Sequence, residues 1–269
     1  GHTLSAQNLL LLVNSEGWSL SGEADYDTLP IKLAINEKFA EKKYKSKCNI
    51  SFKLDNAAKK ALGLDWAILQ EPNISGYALV DADITVQQND EISVKVKADL
   101  KNTALDFAYL GFVKPLNQNA AASADVVLLK DKIKSIKNIK LQKSGFNIAG
   151  GLTMYPNGRV KTVDINQIKG PKTSARAKVS LSDSANPWLK VEISGLSYDL
   201  SPFFEQIKNK RQKNDKQLPV QANDDDGLEK ANNTDIFMTV NSLWTNNTTP
   251  IQNFAGSAKI RKGIGMEEL

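Results

Sequence analysis

The sequence of 269 residues contains one cysteine and one histidine. A single cysteine, Cys48, cannot form an internal disulfide or supply a multi-cysteine zinc site. The histidine, His2, directly follows Gly1 and is interpreted as a remnant of tag cleavage. Without a histidine in the fold, Ser-His-Asp and Cys-His catalysis and histidine-ligated metals are excluded. We therefore expect a protein that is not an enzyme, with no catalytic residues, no cofactor and no metal site.

Long hydrophobic runs and a strong excess of one charge are also missing. The apolar run 9–13 is far shorter than the roughly 20 residues that span a bilayer, so no transmembrane helix is predicted. Lysine and arginine number 35 against 30 acidic residues, a net charge of +5 that permits contact with anionic lipid without requiring it. The lysine-rich run 130–143 is interleaved with isoleucine and leucine rather than aromatics, which argues against a nucleic-acid partner. The simplest interpretation places these lysines on solvated strand edges. A more specific hypothesis is that they contact anionic lipid headgroups.

The sequence does contain apolar residues at every second position. A period of two predicts strands with one apolar and one solvated face. In residues 76–100, a polar turn at 88–90 separates two such strands and predicts a hairpin. Further strands are predicted over 9–13, 18–20, 29–39, 50–54, 107–112, 124–129, 133–141, 146–154, 160–168, 175–181, 188–198, 236–244 and 251–260. We expect a mainly β fold: a twisted antiparallel meander forming an open groove or half-barrel, with two short α-helices.

Two helices interrupt this pattern. Asp55 is predicted to cap a helix over residues 56–62 that ends at Gly63, with a second short helical piece at 65–69. Asp199 or Ser201 is predicted to cap another helix with Pro202 in its first turn. Strongly polar residues then follow, so we predict a domain over 1–208, a polar loop or insertion over 209–235, and a β-hairpin over 236–269. Since the chain opens in mid-pattern, we expect a fragment of a larger protein.

Two short segments have the spacing of ligand-binding loops but lack the residues that would bind the ligand. The acidic run ending at Gly227 places Ala222 and Asn233 where a calcium-binding loop needs an acid and a glutamate, so it predicts a solvated loop. The glycines between Gly145 and Gly151 have the spacing of a phosphate-binding loop, but its lysine and hydroxyl residue are absent. Gly150 and Gly151 instead predict a bulge or a close approach between backbones.

A recurring order of motifs occupies about residues 56–204: a short helix, a glycine-led strand, a strand ending in Leu-Asp-Phe, a Gly-Phe-Lys-Pro-like turn, and a later joint from strand to helix. The motifs are formed by residues 57–65, 74–84, 104–107, 111–115, 145–152 and 193–203. Together they resemble the AsmA-like, YhdP-type family of bacterial envelope proteins.

The resemblance implies a periplasmic protein, anchored to the inner membrane by an N-terminal helix that this chain lacks, whose long β-groove shelters phospholipid acyl chains between the two membranes. No catalytic residues belong to the family. The expected function is lipid binding for inter-membrane transport or outer-membrane homeostasis, with phospholipid as the partner. The alternating pattern selects the candidate groove-lining residues Val80, Ala82, Ile84, Val94, Val96, Phe146, Ile148 and Leu152.

Two alternatives remain open. The same apolar faces would equally form the core of a closed β scaffold or adaptor domain without lipid. A third hypothesis is a polysaccharide-binding or hydrolytic β domain, in which Trp18, Trp66, Trp188 and Trp244 stack on sugar. A continuous exposed apolar strip favours lipid, a closed core favours the scaffold, and a polar cleft with clustered acids favours the enzyme.

Overall fold

Strands built from alternating apolar and polar residues dominate the molecule. The computed structural model describes residues 3–41, 43–64, 69–107, 112–129, 132–184, 188–205, 208 and 233–260. Within these ranges lie 17 strands and two short helical segments. The predicted mainly β fold with two short helices is therefore confirmed. The chain divides into two compact units, Gly1–Asp106 with Val113–Ser144, and Phe107–Phe112 with Gly145–Leu269.

Eight strands lie side by side in the first unit, and every neighbouring pair is antiparallel. Since the order along the sheet nearly follows the order along the chain, short turns suffice to connect most neighbours. In spatial order the strands are β1 (Leu4–Val13), β2 (Gly17–Tyr26), β3 (Leu29–Lys38), β4 (Tyr44–Leu54), β6 (Ala78–Gln87), β7 (Glu91–Asp99), β10 (Ala120–Leu129) and β11 (Lys132–Lys143).

Helix α1 (Asn56–Ala61) packs on the apolar face of this sheet. The Asp55 carboxylate accepts a hydrogen bond from the Ala58 backbone N–H at 3.0 Å, which confirms the predicted N-cap. Gly63 follows the helix with φ of 65°, the left-handed conformation expected after a helix end. The first unit's core forms where the helix meets the sheet, from Ala24, Leu29, Ile31, Leu33 and Ala58.

A separate three-stranded sheet is formed by β5 (Ile74–Gly76), β8 (Thr103–Phe107) and β9 (Phe112–Lys114). Lys114 is fully buried, and its ammonium donates to the backbone carbonyls of Thr103, Pro115 (3.1 Å) and Lys101 (3.4 Å). Burial lowers the pKa of Lys114, and the nearby Lys143 lowers it further, while Asp99 opposes the shift. The lysine thus serves as a buried donor that ties these loops together.

In the second unit, six strands lie side by side, and two of them pair in parallel. They are β12 (Phe146–Met154), β13 (Val160–Lys169), β14 (Ser174–Leu181), β15 (Leu189–Asp199), β16 (Thr234–Trp244) and β17 (Pro250–Ile260). β15 and β16 run parallel, in contrast to the antiparallel meander that was predicted. Parallel neighbours need a crossover of about a dozen residues or more, and residues 200–233 provide that length.

The second unit's core lies around β15 and β16. It consists of Tyr198, Met238, Val240 and Leu243, and Val240 is only 2% exposed. Residues 201–205 are helical, and the Asp199 carboxylate accepts the Ser201 backbone N–H at 3.0 Å. The predicted turn from strand into helix is confirmed at this point, because Asp199 ends β15 and also caps the helical turn.

Several predicted boundaries are corrected. The sequence predicts a charged turn over residues 38–47 and a loop over 114–123, but residues 44–47 belong to β4 and residues 120–123 to β10. Tyr44, Ser46 and Lys47 pair with β6, and residues 121–123 pair with both β7 and β11, so hydrogen bonding to neighbours outweighs their weak local β preference. The predicted strand 107–112 is described only at its ends, in β8 and β9. Residues 65–68 of the short second helical piece and residues 209–232 of the predicted insertion lie outside the described ranges.

Candidate apolar binding face

Five of the eight predicted lining residues lie together in the first unit. Val80, Ala82 and Ile84 alternate along β6, and Val94 and Val96 alternate along β7. Val96 lies directly opposite Ala82, and Val94 directly opposite Ile84. Since directly opposed residues on antiparallel strands share a face, all five side chains project to the same side of the sheet.

The strand register extends these pairs into apolar rows across the sheet. The row through Ile84 has one apolar or sulfur-containing residue on each of the eight strands. Its members are Leu11, Leu20, Ile35, Cys48, Ile84, Val94, Val126 and Ile136. The next row contains Leu9, Gly22, Leu33, Ile50, Ala82, Val96 and Ala124. We call this surface the first apolar face.

Exposure changes along the first apolar face. Val80 and Ala82 are only 5% and 8% exposed, whereas Ile84, Val94 and Val96 are half-buried. Ala82 shares its row with the half-buried Val96, whereas Ile84 and Val94 form the next row. Along β6, the burial of the apolar side chains therefore decreases from Val80 to Ile84.

Most residues of these rows were not selected from the sequence. Ile35, Ile50 and Val126 lie on the first apolar face, yet the residues predicted in this unit all come from the hairpin of β6 and β7. Their own strands show the same alternation, so the signal was present. The register between strands, which determines which rows align, was not available from the sequence.

The remaining three predicted residues lie on β12 in the second unit. Phe146 is buried against Phe112, with ring centroids 4.6 Å apart. Ile148 and Leu152 are half-buried and pair with Ile168 and Val163. From Val163 an apolar row continues through Val179, Val191, Ile236 and Ala258. The second unit therefore also has an apolar face, which we describe independently of the first.

The opposite face of the first unit is polar. Asp81 and Asp83 on β6 lie across from Lys97 and Lys95 on β7. Such opposed charges stabilise a solvated sheet surface modestly. Asp81 also accepts a hydrogen bond from the Ser51 hydroxyl.

A cleft of about 1090 Å³ lies along the strands from β1 to β6. Its lining includes Glu23, Asp25, Lys32, Lys53 and Asp81, and it shares only Val80 with the predicted lining residues. Glu23 and Lys32 pair at 3.3 Å in this cleft, with both side chains largely exposed. The lining also contains Ala24, Ile31 and Phe52, which lie in the same cross-strand row as Val80. The cleft is therefore bordered by both charged and apolar side chains.

Cys48 lies in the middle of the first apolar face, between Ile35 and Ile84. It is half-buried, and burial raises the pKa of its thiol. Because Cys48 is the only cysteine of the chain, the rate at which a thiol reagent labels the protein measures the accessibility of the first apolar face at this position.

Two negative findings concern the described part of the chain. No group of three or more histidine, cysteine or acidic residues there could hold a metal ion. Among the described residues, no helix has the length and apolar character needed to cross a membrane. Comparison with protein-family models, curated proteins and solved structures found no match to this chain.

Proposed function

We propose that the protein binds lipid without catalysis, by holding acyl chains against the first apolar face. The observation that carries this proposal is the uninterrupted apolar row through Ile84, which crosses eight strands. The family resemblance supports the same function. As part of the proposal, the chain belongs to a larger periplasmic protein, anchored in the inner membrane, that moves phospholipid between membranes or maintains the outer membrane.

The dimensions of the row suit an acyl chain. Seven spacings of about 4.8 Å separate eight strands, which gives about 34 Å of apolar surface before twist is considered. The acyl chains of one leaflet cover about half of a hydrocarbon core roughly 30 Å thick, or about 15 Å. One row therefore offers enough length for a full chain, and neighbouring rows add width for a second.

Partial exposure favours lipid binding over a closed scaffold. A closed core would bury its apolar residues throughout, to the degree that Val80 and Ala82 are buried. Ile84, Val94 and Val96 remain half-buried, so bound lipid would remove further apolar area from water at about 25 cal/mol per Å². A sugar-binding role has less support, since Trp18, Trp188 and Trp244 lie on separate strands or loops and Trp66 lies outside the described residues.

The decisive experiment compares two matched double variants by native mass spectrometry after incubation with phospholipid. Ile84→Asn with Val94→Asn places two amides on the first apolar face. Thr85→Asn with Ser93→Asn changes the neighbouring cross-strand pair, which projects to the opposite face. We expect the wild type and the Thr85/Ser93 variant to carry phospholipid, and the Ile84/Val94 variant to carry little or none while keeping its circular dichroism spectrum.

Labelling of the Cys48 thiol provides a second readout. We expect phospholipid vesicles to slow maleimide labelling of Cys48 in the native protein and in the Thr85/Ser93 variant, because bound acyl chains would cover the thiol. Lipid-free protein with labelling unaffected by vesicles would refute the lipid proposal and favour the scaffold.

A further inference from the structure

A pocket of about 330 Å³ lies on the second unit, over the strands β13, β14 and β15. Two of its lining residues, Ile168 and Ala175, pack against the core of that unit. Since successive residues of a strand point to opposite faces, the side chains of Lys169, Ser174 and Arg176 project to the other, solvated face. The pocket is therefore accessible to a ligand from water.

Irregular pairing of the three strands shapes this pocket. β13 has two residues, Asn166 and Gln167, where β14 has only Arg176 between paired positions. β15 has an additional residue, Leu196, that has no counterpart on β14. Such bulges bend a strand, redirect its side chains and are frequent beside functional sites. They account for a depression in the surface of an otherwise regular sheet.

The lining of the pocket is positively charged. It contains Lys169 and Arg176 and no acidic residue. The Arg176 Nε donates to the Ser194 hydroxyl at 2.9 Å, which orients the plane of the guanidinium group. Among the described residues, neither the two terminal nitrogens of Arg176 nor the Lys169 ammonium has a hydrogen-bond or ion-pair partner. Both cations are therefore available to an anion.

The acidic residues of the adjoining cross-strand row are paired with other lysines. In that row, Lys178 lies between Asp164 on β13 and Glu192 on β15. The Glu192 carboxylate also accepts a hydrogen bond from the Lys190 ammonium at 2.8 Å. Since opposed charges on neighbouring strands attract each other, Lys178 and Lys190 offset these two acids. The positive charge of Arg176 remains uncompensated.

Neutral hydrogen-bonding groups complete the lining. Ser174 and Ser194 contribute hydroxyl groups, and Asn166 and Gln167 contribute amides. The Gln167 carbonyl oxygen accepts from the Asn147 amide at 2.6 Å, which leaves the Gln167 amino group as a donor. Together with the two cations, these donors outnumber the two oxygens of a carboxylate. The tetrahedral phosphate group offers more acceptor oxygens and matches the fork of an arginine.

We propose that this pocket binds the phosphate group of a small phosphate ester or of a lipid headgroup. Arg176 contacts two phosphate oxygens through its terminal nitrogens, and Lys169 contacts a third. The volume is near the lower end of the roughly 300–1,000 Å³ typical of ligand pockets, so it suits a phosphate group with a short substituent. Leu196, which is 66% exposed, provides an apolar contact for that substituent. The proposal does not rest on lipid binding by the first apolar face.

Titration with inorganic phosphate and with glycerol 3-phosphate, followed by NMR of the backbone amides, tests the proposal. We expect saturable shifts at the amides of Arg176 and Ser194 in the native chain. Arg176→Gln should weaken binding about tenfold or more, because it removes charge-assisted hydrogen bonds. The matched control, Lys178→Gln, removes the same charge two residues along the same strand, outside the lining, and should leave the affinity almost unchanged.

Vesicles distinguish the two sources of the phosphate group. Phosphatidylcholine vesicles with and without phosphatidic acid are sedimented with the native chain and with both variants. Retention by phosphatidic acid that Arg176→Gln abolishes would assign the pocket to a headgroup, whereas binding of glycerol 3-phosphate without such retention would assign it to a free ester. The Ile84/Val94 variant should bind inorganic phosphate like the native chain, so failure of the lipid proposal would be visible separately.

Two results would overturn the phosphate proposal. The first is a native chain that binds none of the three phosphate-containing probes. The second is binding that Arg176→Gln leaves intact, or that Arg176→Gln and Lys178→Gln weaken equally, because the pocket would then not be the place of binding. Unchanged amide shifts elsewhere in the spectrum would confirm that both variants keep the fold.

Discussion

Replacing Gly150 by alanine tests how β12 and β13 fit together. The register between these strands shifts between Ala149 and Gly151, where β13 contains an extra residue. A Cβ on Gly150 would lie 2.3 Å from the Asp164 carbonyl oxygen and 2.9 Å from the Ile165 Cα. The predicted close approach between backbones is confirmed at Gly150. Both obstacles are backbone atoms, so a rotamer change cannot relieve the overlap.

The cost follows from the displacement. Moving the Cβ from 2.3 Å to 3.0 Å, the shortest separation that real Cβ atoms show, requires the strands to part by at least 0.7 Å. Overpacking of this kind costs about 2 kcal/mol, and one lost ladder hydrogen bond adds about 1 kcal/mol. The lower entropy of alanine in the unfolded chain returns about 0.5 kcal/mol. The expected net loss is therefore about 2–3 kcal/mol, or a decrease in Tm of about 5–10 °C.

Gly158→Ala is the matched control, in the turn that joins the same two strands. Gly158 has a φ of 85°, and no atom lies within 4 Å of the position that a Cβ would take, so alanine costs only the left-handed conformation, about 1 kcal/mol. Urea denaturation followed by circular dichroism and tryptophan fluorescence would compare the two variants. If Gly150→Ala were no less stable than Gly158→Ala, the argument from backbone contact would be wrong.

Three further predictions concern other parts of the fold. Asp55→Ala should lower the free energy of unfolding in urea by about 1 kcal/mol. Because the hydrogen bond from the Ala58 N–H lowers the pKa of Asp55, the stabilisation by the carboxylate should be present above pH 3.8 and be lost as pH falls through the lowered pKa. In Asp55→Asn, whose side chain does not titrate, this loss should be absent. Lys114→Met should cost about 2–3 kcal/mol at neutral pH by leaving buried carbonyls without a donor. Since the folded pKa of Lys114 lies below 10.5, the native protein should gain stability over this variant as pH rises through that lowered pKa toward 10.5, and a flat pH profile would contradict this. Val240→Ala should cost about 2 kcal/mol, while Leu196→Ala, at a position 66% exposed, should stay within about 0.5 kcal/mol in the same assay.

The local sequence pattern was sufficient to predict the strand faces and the helix ends, because the interactions that determine them act between residues close in sequence. Alternation determines which side chains of β6 and β7 share a face, whatever the neighbours are. Asp55 and Gly63 were predictable as helix ends for the same reason, since a cap acts on backbone groups only a few residues away.

The candidate site was predictable only in part. The five residues on β6 and β7 were placed together correctly because a short hairpin sets its own register. Phe146 was selected by the same alternation, but the structure buries it against Phe112. Sequence alternation identifies an apolar side chain, but only the packing of distant segments decides whether that side chain meets solvent or another ring.

The sequence alone determined the class of the fold, the faces of individual strands and the helix caps, because these follow from residue type and short spacing. Tertiary structure alone decided three other features: the alignment of apolar rows across eight strands, the parallel pairing of β15 with β16, and the exposure that remains at Ile84 and Val94. Each of these depends on which distant strands become neighbours. A period of two is the same for every strand and therefore carries no information about its partner.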